Sequence, residues 1–301
     1  MPCRIDHLAV GMTRKLPFVT LDVFTDVPFG GNPLAVFTDA PGLSISTMQA
    51  IAAELNLSET VFVTARGATI DLRIFTPKSE LPFAGHPTVG AAAVLAAESG
   101  EELIMRVPAG LVRATVTALA NGVRHATVVS PRPPSAGPAI APEIAAKTIG
   151  LAEEDLATAP SVFDVGVAFS VIPVRDRATL ARCAIDMAAW SRWFAASGAA
   201  SLHVVTLDDF EGGDTVYARN FAPGVGISED PATGAAAVAL TGWLQRAQQR
   251  PDGTHRWTVH QGVEMGRPSQ ITIEATVLDG VVIAANLGGS TVAISRGVLF
   301  A

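Results

Sequence analysis

The chain has 301 residues, 49% of them hydrophobic and 16% charged, with a formal net charge of −7. That length buries a sizeable core in one large or two ordinary domains, and the acidic balance argues against a nucleic-acid or anionic-membrane partner, which needs clustered Lys and Arg. No apolar run approaches a membrane span, and two distant cysteines, Cys3 and Cys183, make neither a disulfide framework nor a metal pair, so a reducing cytoplasm is the expected location.

Residues 1–17 read as an extension, and the first 16 lack the continuous apolar stretch of a secretory signal. Val19, Leu21 and Val23 alternate with Thr20, Asp22 and Phe24, which predicts a strand. A turn-rich loop over Asp26–Pro33 leads to a second strand at Leu34–Phe37. Ile45, Met48, Ile51, Ala52 and Leu55 share one helical face behind an N-cap at Ser44 or Ser46. Strands are expected at 60–64, 69–75, 103–107, 111–118 and 123–129, with a helix over 87–97. Residues 130–138, crowded with Pro and Gly, read as a linker. Beyond it lie expected helices near 142–149 and 187–196 and strands near 169–174 and 202–207. Many short strands with single helices predict an α+β fold.

The second half repeats the first. Arg73, Phe75 and Pro77 match Arg219, Phe221 and Pro223 at a spacing of 146 residues. The run His86-Pro87-Thr88-Val89-Gly90-Ala91-Ala92-Ala93-Val94 matches Asp230-Pro231-Ala232-Thr233-Gly234-Ala235-Ala236-Ala237-Val238 at 144. A two-residue deletion reconciles the spacings, and the pattern predicts two copies of one supersecondary unit. In each copy a Pro at the first helical position precedes small residues, so first-turn N–H groups stay uncovered for an anion. Helix starts near Thr88 and Thr233 are thus expected to grip one carboxylate between them; small residues packing a helix closely on its sheet is the other explanation. His86 and Asp230 fall at matched positions, two proton carriers at mirrored helix entrances. Glu59 opens an apolar strand where burial raises a carboxyl toward the range useful for acid/base work, although spacing alone favours a solvated edge charge.

Three stretches carry a resemblance. They are Asp22-Val23-Phe24-Thr25 with Phe29-Gly30-Gly31-Asn32-Pro33; Asn56-Leu57-Ser58-Glu59-Thr60-Val61-Phe62; and Phe75-Thr76-Pro77 with Glu80-Leu81-Pro82-Phe83-Ala84-Gly85-His86-Pro87-Thr88. Gly226-Ile227-Ser228-Glu229-Asp230-Pro231-Ala232-Thr233-Gly234 and Gln261-Gly262 with Gly266-Arg267-Pro268-Ser269 complete the set. Together they resemble the PhzF-like isomerases from about residue 18 to the C-terminus. The resemblance implies two pseudo-symmetric lobes of diaminopimelate epimerase-like fold, each a curved, mostly antiparallel sheet around a central helix. The expected lobes are 18–130 and 131–285, with 286–301 a final strand that returns to the first lobe. It also implies a homodimer, no cofactor and a small carboxylate substrate isomerised between the lobes; no metal is expected, because His255 and His260 are five apart with no matching ligand set. Glu59 is then the proton shuttle and His86 and Asp230 its neighbours. Asn32, Gly85, Thr88, Thr233, Gly234, Ala235 and Gln261 are the expected substrate contacts. The chain departs from the family at Ala235, where Ser is common and a hydroxyl is now missing. An amino-acid epimerase and a non-catalytic carboxylate binder are the alternatives. A two-thiol racemase is disfavoured, because neither cysteine lies near a repeat motif.

Overall fold

The computed structural model describes residues 14–98 and 100–301, which leaves Cys3 and most of the N-terminal extension outside the described residues. The first half runs β1 (Lys15–Val23), β2 (Asn32–Phe37), α1 (Ile45–Leu55), β3 (Glu59–Arg66), β4 (Ile70–Phe75), β5 (Glu80–Leu81), α2 (Gly85–Leu95), β6 (Glu101–Val107), β7 (Gly110–Ala118) and β8 (Arg124–Val129). The second runs β9 (Ser135–Ala139), α3 (Pro142–Thr148), β10 (Ser161–Asp164), β11 (Ala168–Pro173), α4 (Arg177–Arg182), α5 (Met187–Trp193), β12 (Ser201–Leu207), β13 (Thr215–Ala222), β14 (Ile227–Asp230), α6 (Gly234–Gln248), β15 (Gly253–Gln261), β16 (Ser269–Leu278) and β17 (Val281–Phe300).

Both halves pair their strands in one order. β1–β2 is antiparallel, β2–β3 parallel, β3–β4 antiparallel, β4–β6 parallel and β6–β7–β8 antiparallel. The series β10–β11–β12–β13–β15–β16–β17 repeats this pattern step for step. The long strand β17 serves both halves. Its first part pairs with β16, its middle with β8, and residues 291–300 pair with β1, which closes the first sheet into a barrel.

Burial explains why α2 and α6 sit inside these sheets. Nine residues of α2 are buried, and it is apolar on every side, a pattern that needs a core all round it. The inward residues of both sheets and the two helices make one continuous core, from Leu21 and Val61 through Ala92 and Ala237 to Trp243 and Leu287. Outside each sheet lies a smaller layer. Met48, Ile51 and Ala52 of α1 cover Phe37, Phe62 and Phe75, while Leu180, Trp190 and Phe194 cover Val204 and Phe221. Ser44 caps α1 by accepting from the Thr47 N–H at 3.0 Å. Cys183 ends α4 in the second outer layer, with burial pushing its thiol up to about 12. A thiol so reluctant to ionise is a poor nucleophile or base.

Three details differ from the sequence expectation. Residues 135–138 of the expected linker belong to strand β9, laid on β10 with an irregular register, where an edge position tolerates Pro138. Pro87 is the third residue of α2, and Pro231 lies before α6 altogether. The repeat register also shifts. Ile74 faces Leu81 as Asn220 faces Asp230, and Arg73 pairs with Glu80 as Arg219 pairs with Glu229. Strand β4 thus matches β13 at a spacing of 146, but Leu81 matches Asp230 and Gly85 matches Gly234 at 149. The loop gains three residues rather than losing two, and His86 corresponds to Ala235, not to Asp230. Alanine-rich helices slide against each other in an alignment. Gly90 drew the wrong match; it is a packing glycine, where a Cβ would overlap Leu34 Cδ2.

Candidate active site

The N-terminal ends of α2 and α6 meet head to head. A Cβ on Gly85 would lie 3.1 Å from Gly234 Cα, and one on Gly234 would lie 3.2 Å from both Gly85 Cα and the His86 nitrogen. Only glycine lets two backbones approach this closely. Neither helix start has a side-chain cap. Buried helix ends need partners for their first-turn N–H groups, and their dipoles both point positive charge at the junction.

Three titratable side chains gather around that junction. Glu59 is the first residue of β3, delivered beside Leu34 by the parallel β2–β3 pairing. His86 is the second residue of α2, and its Nδ1 lies 3.2 Å from Glu59 Oε2, a contact not aligned as a hydrogen bond. Their side chains are 4% and 13% exposed, and Asp230 is 8% exposed, so the group is closed off from bulk water. Burial raises the Glu59 carboxyl well above its usual range, and the Asp230 charge raises it further. Burial also pushes His86 down to about 3, against the opposing pull of the Pro33 carbonyl. Both shifts favour the neutral form of each group, which weakens any ion pairing between them. Burial raises Asp230 to about 6 even though hydrogen bonds from Thr233 and Asn32 favour its charge.

The second half locks Asp230 in place. Asn32 Nδ2 donates to Asp230 Oδ1 at 2.8 Å, and Thr233 Oγ1 donates to Oδ2 at 2.6 Å. Gln261 Nε2 donates to the Asp230 carbonyl at 2.7 Å, while its Oε1 accepts from the Thr233 N–H. Asn32 Oδ1, Glu59 Oε2 and His86 Nε2 are buried with no hydrogen-bond partner. Unmet capacity concentrated at one place is what a polar ligand would fill.

The chain matches the profile of the phenazine biosynthesis-like protein family over residues 21–297. It belongs to that family. It is 33% identical over 286 residues to the trans-2,3-dihydro-3-hydroxyanthranilate isomerase of Pseudomonas chlororaphis, spanning 94% of this chain and 98% of that protein. An uncharacterised isomerase of Mesorhizobium japonicum is 35% identical over 296 residues, covering 94% and 98% of the two chains. The fold superposes on a predicted epimerase from Pseudomonas aeruginosa with a TM-score of 0.80 at 28% identity, over 94% of this chain and 99% of the other. At 12% identity it shares its fold with a hydroxyproline epimerase from Agrobacterium vitis, TM-score 0.60, covering 95% and 93% of the chains. The protein is a phenazine biosynthesis-like isomerase, on a fold it shares with proline racemases and epimerases.

In this isomerase Asn32, Gly85, Gly234, Thr233 and Gln261 all lie at the junction beside Glu59, His86 and Asp230. Ala235, second in α6, is partly buried against the core. Thr88 stands apart, because its Oγ1 donates to the Ala84 carbonyl at 2.7 Å and spends its proton inside the first turn of α2. Sequence reasoning gave no role to Arg267 or Asp22, although both lie in the motifs quoted for the family. Arg267 Nε donates to the Gly31 carbonyl and Nη2 to Gly30 and Asp22, while Asp22 accepts from the Phe29 N–H. This staple ties the β1–β2 loop to the second half and so sets where Asn32 meets Asp230.

Proposed function

We propose that this isomerase moves a proton between carbons of a small carboxylate-bearing molecule held where the two helices meet, with Glu59 as the acid/base. The observation that carries this reading is the meeting of two uncapped helix starts with three buried titratable groups around them. The substrate carboxylate would accept from first-turn N–H groups, which also stabilise the negative charge that develops when a neighbouring C–H bond breaks. Glu59 as carboxylate takes that proton and, as the acid, returns it to a second carbon; electrons shift within the substrate and nothing is oxidised. A raised carboxyl suits both directions, because an acid near 4.5 rarely holds its proton at pH 7. Both Asp230 oxygens already accept hydrogen bonds, so Asp230 orients the substrate and repels charge on Glu59 rather than acting as a second base.

The two matched halves, each a sheet around its own helix, support the diaminopimelate epimerase-like reading of the fold. We also propose that the isomerase works as a homodimer without cofactor or metal. Among the described residues no group of three or more His, Cys, Asp or Glu is placed to hold a metal ion, and no helix is long and apolar enough to cross a membrane. Light scattering and turnover after dialysis against chelator test these two points. Because the three groups are buried, substrate entry requires the halves to part.

The decisive experiment is Glu59→Gln, which keeps shape but cannot accept a proton. It should lower exchange of substrate hydrogen for deuterium in heavy water by roughly 10²–10⁴-fold while carboxylate binding survives. Unchanged exchange removes Glu59 from the role.

A further inference from the structure

The matched halves allow a comparison at equivalent positions on the inner faces of the two sheets. In the first half, cross-strand pairing sets Val36 against Val61, Val61 against Ile74, and Ile74 against Leu81. The equivalent row in the second half is Val171, His203, Asn220 and Asp230. These positions share their strand faces with core residues Val205, Leu207, Val216 and Ala218, so the row points into the second sheet rather than toward the outer helices. An apolar row in one half has become polar in the other, beginning at Asp230 and running away from it.

That change is costly unless something satisfies it. His203 is fully buried and Asn220 is 1% exposed. Neither ring nitrogen of His203 has an aligned hydrogen-bond partner, and neither does the amide nitrogen or oxygen of Asn220. Burial lowers His203 to about 4, against the opposing pull of the Asn220 side chain paired across from it, so the ring is neutral and offers one donor and one acceptor, of which Asn220 meets at most one. Each unpaired buried polar atom destabilises a fold, and the first half shows that the same scaffold accepts aliphatic residues here. The other buried atoms without partners include Asn32 Oδ1, Glu59 Oε2 and His86 Nε2, at the near end of the row.

We infer that Asn220 and His203 are specificity-determining residues, a polar subsite that continues the substrate site from Asp230 along the inner face of the second sheet. This rests on the carboxylate reading proposed above and deepens it. Neighbouring strands lie about 4.8 Å apart, so Asn220 sits about 5 Å and His203 about 10 Å from the Asp230 position. The substrate class is therefore a small carboxylate with a second hydrogen-bonding group (hydroxyl, amine or carbonyl) displaced from the carboxylate by that order of distance. Asn220 and the neutral imidazole each offer both a donor and an acceptor to such a group.

The first half supplies the residues for the test, His203→Val with Asn220→Ile. Binding of benzoate and of its 3-hydroxy and 4-hydroxy derivatives is measured by calorimetry on the parent and the double variant, with thermal melts of both. The parent should bind a hydroxylated ring about tenfold more tightly than benzoate, as one net hydrogen bond provides. The double variant should bind benzoate as the parent does, lose the preference, and melt no lower. A preference that survives the substitutions overturns the inference and leaves the row holding structural water only. A parent that binds benzoate without preferring any hydroxylated ring overturns it as well, with the carboxylate site intact. If the parent binds none of the three, the carboxylate reading itself falls and takes this inference with it. Histidine-selective ¹⁵N spectra of the unmutated protein give an independent readout. The His203 ring signals should move on adding the preferred hydroxybenzoate and stay still with benzoate, and no movement with either counts against the subsite.

Discussion

Asp230→Asn separates the electrostatic account of the junction from simple loss of contacts. In the folded chain burial holds Asp230 at about 6, against an ordinary 3.8. A folded value raised in this way leaves stability whole below the unfolded value and removes it as pH rises through about 6. At roughly 1.4 kcal/mol per pH unit, the charged carboxylate costs the fold ~3 kcal/mol at pH 8. Asparagine carries no charge at any pH. It keeps the Oδ1 that accepts from Asn32 but sets an amide where Oδ2 accepted from Thr233 Oγ1, so that hydroxyl must turn. One disturbed hydrogen bond costs ~1 kcal/mol. The variant should therefore be slightly less stable than the parent at pH 4 and ~2 kcal/mol more stable at pH 8. Relief of the repulsion on Glu59 acts in the same direction. Urea unfolding at both pH values, followed by tryptophan fluorescence, measures the difference. A variant destabilised by the same margin at pH 4 and pH 8 would refute the reasoning, because Asp230 would then bear no burial penalty.

The acid limb of kcat/KM should lie above the ordinary carboxylate range, because Glu59 must ionise to take the proton, and Asp230→Asn should move that limb to lower pH; an unmoved midpoint breaks the coupling. Gly85→Ala places a Cβ against three backbone atoms of the facing helix start at 3.1–3.2 Å, which should cost ~1–3 kcal/mol in a urea melt and abolish benzoate binding. A single base that takes and returns one proton should carry part of a deuterium label from the first carbon to the second, read by mass spectrometry; complete washout with every turnover argues for two separate bases.

The sequence made the architecture and much of the junction legible, because both rest on local chemistry repeated twice. Alternation in β1, the Ser44 cap and the Arg-x-Phe elements are readable without tertiary information. Arg73 over Phe75 and Arg219 over Phe221 even show the same cation–π contact, at 5.6 and 4.9 Å. The register of the second repeat was not legible. Gly85, Gly90 and Gly234 look alike in a string of small residues, and only packing tells a helix-end glycine from one pressed against Leu34. The polar row was hidden for a related reason. His203 and Asn220 lie 17 residues apart in apolar strands, and only the ladder sets them beside Asp230. The Ala84 bond of the Thr88 hydroxyl was likewise not legible, since it depends on how the first turn of α2 closes.

The duplicated scaffold also bears on why the proposed mechanism calls for one base. An enzyme that removes a proton from either face of a carbon would place a base at equivalent positions in both halves. Here the ladder that puts Glu59 two residues before Val61 puts Ser201 two residues before His203. His86 answers to Ala235, and Asp230 to Leu81. Every titratable group at the junction thus has a counterpart that cannot exchange a proton near neutral pH. What the halves do share is the helix start, Gly85 against Gly234, which is the part proposed to hold the carboxylate and has no handedness to express. In the proposed mechanism, symmetry is kept where the carboxylate would be gripped and broken where the proton would move. On the reading proposed above, Glu59 works from one side only and delivers a proton taken from one carbon to another on that same face.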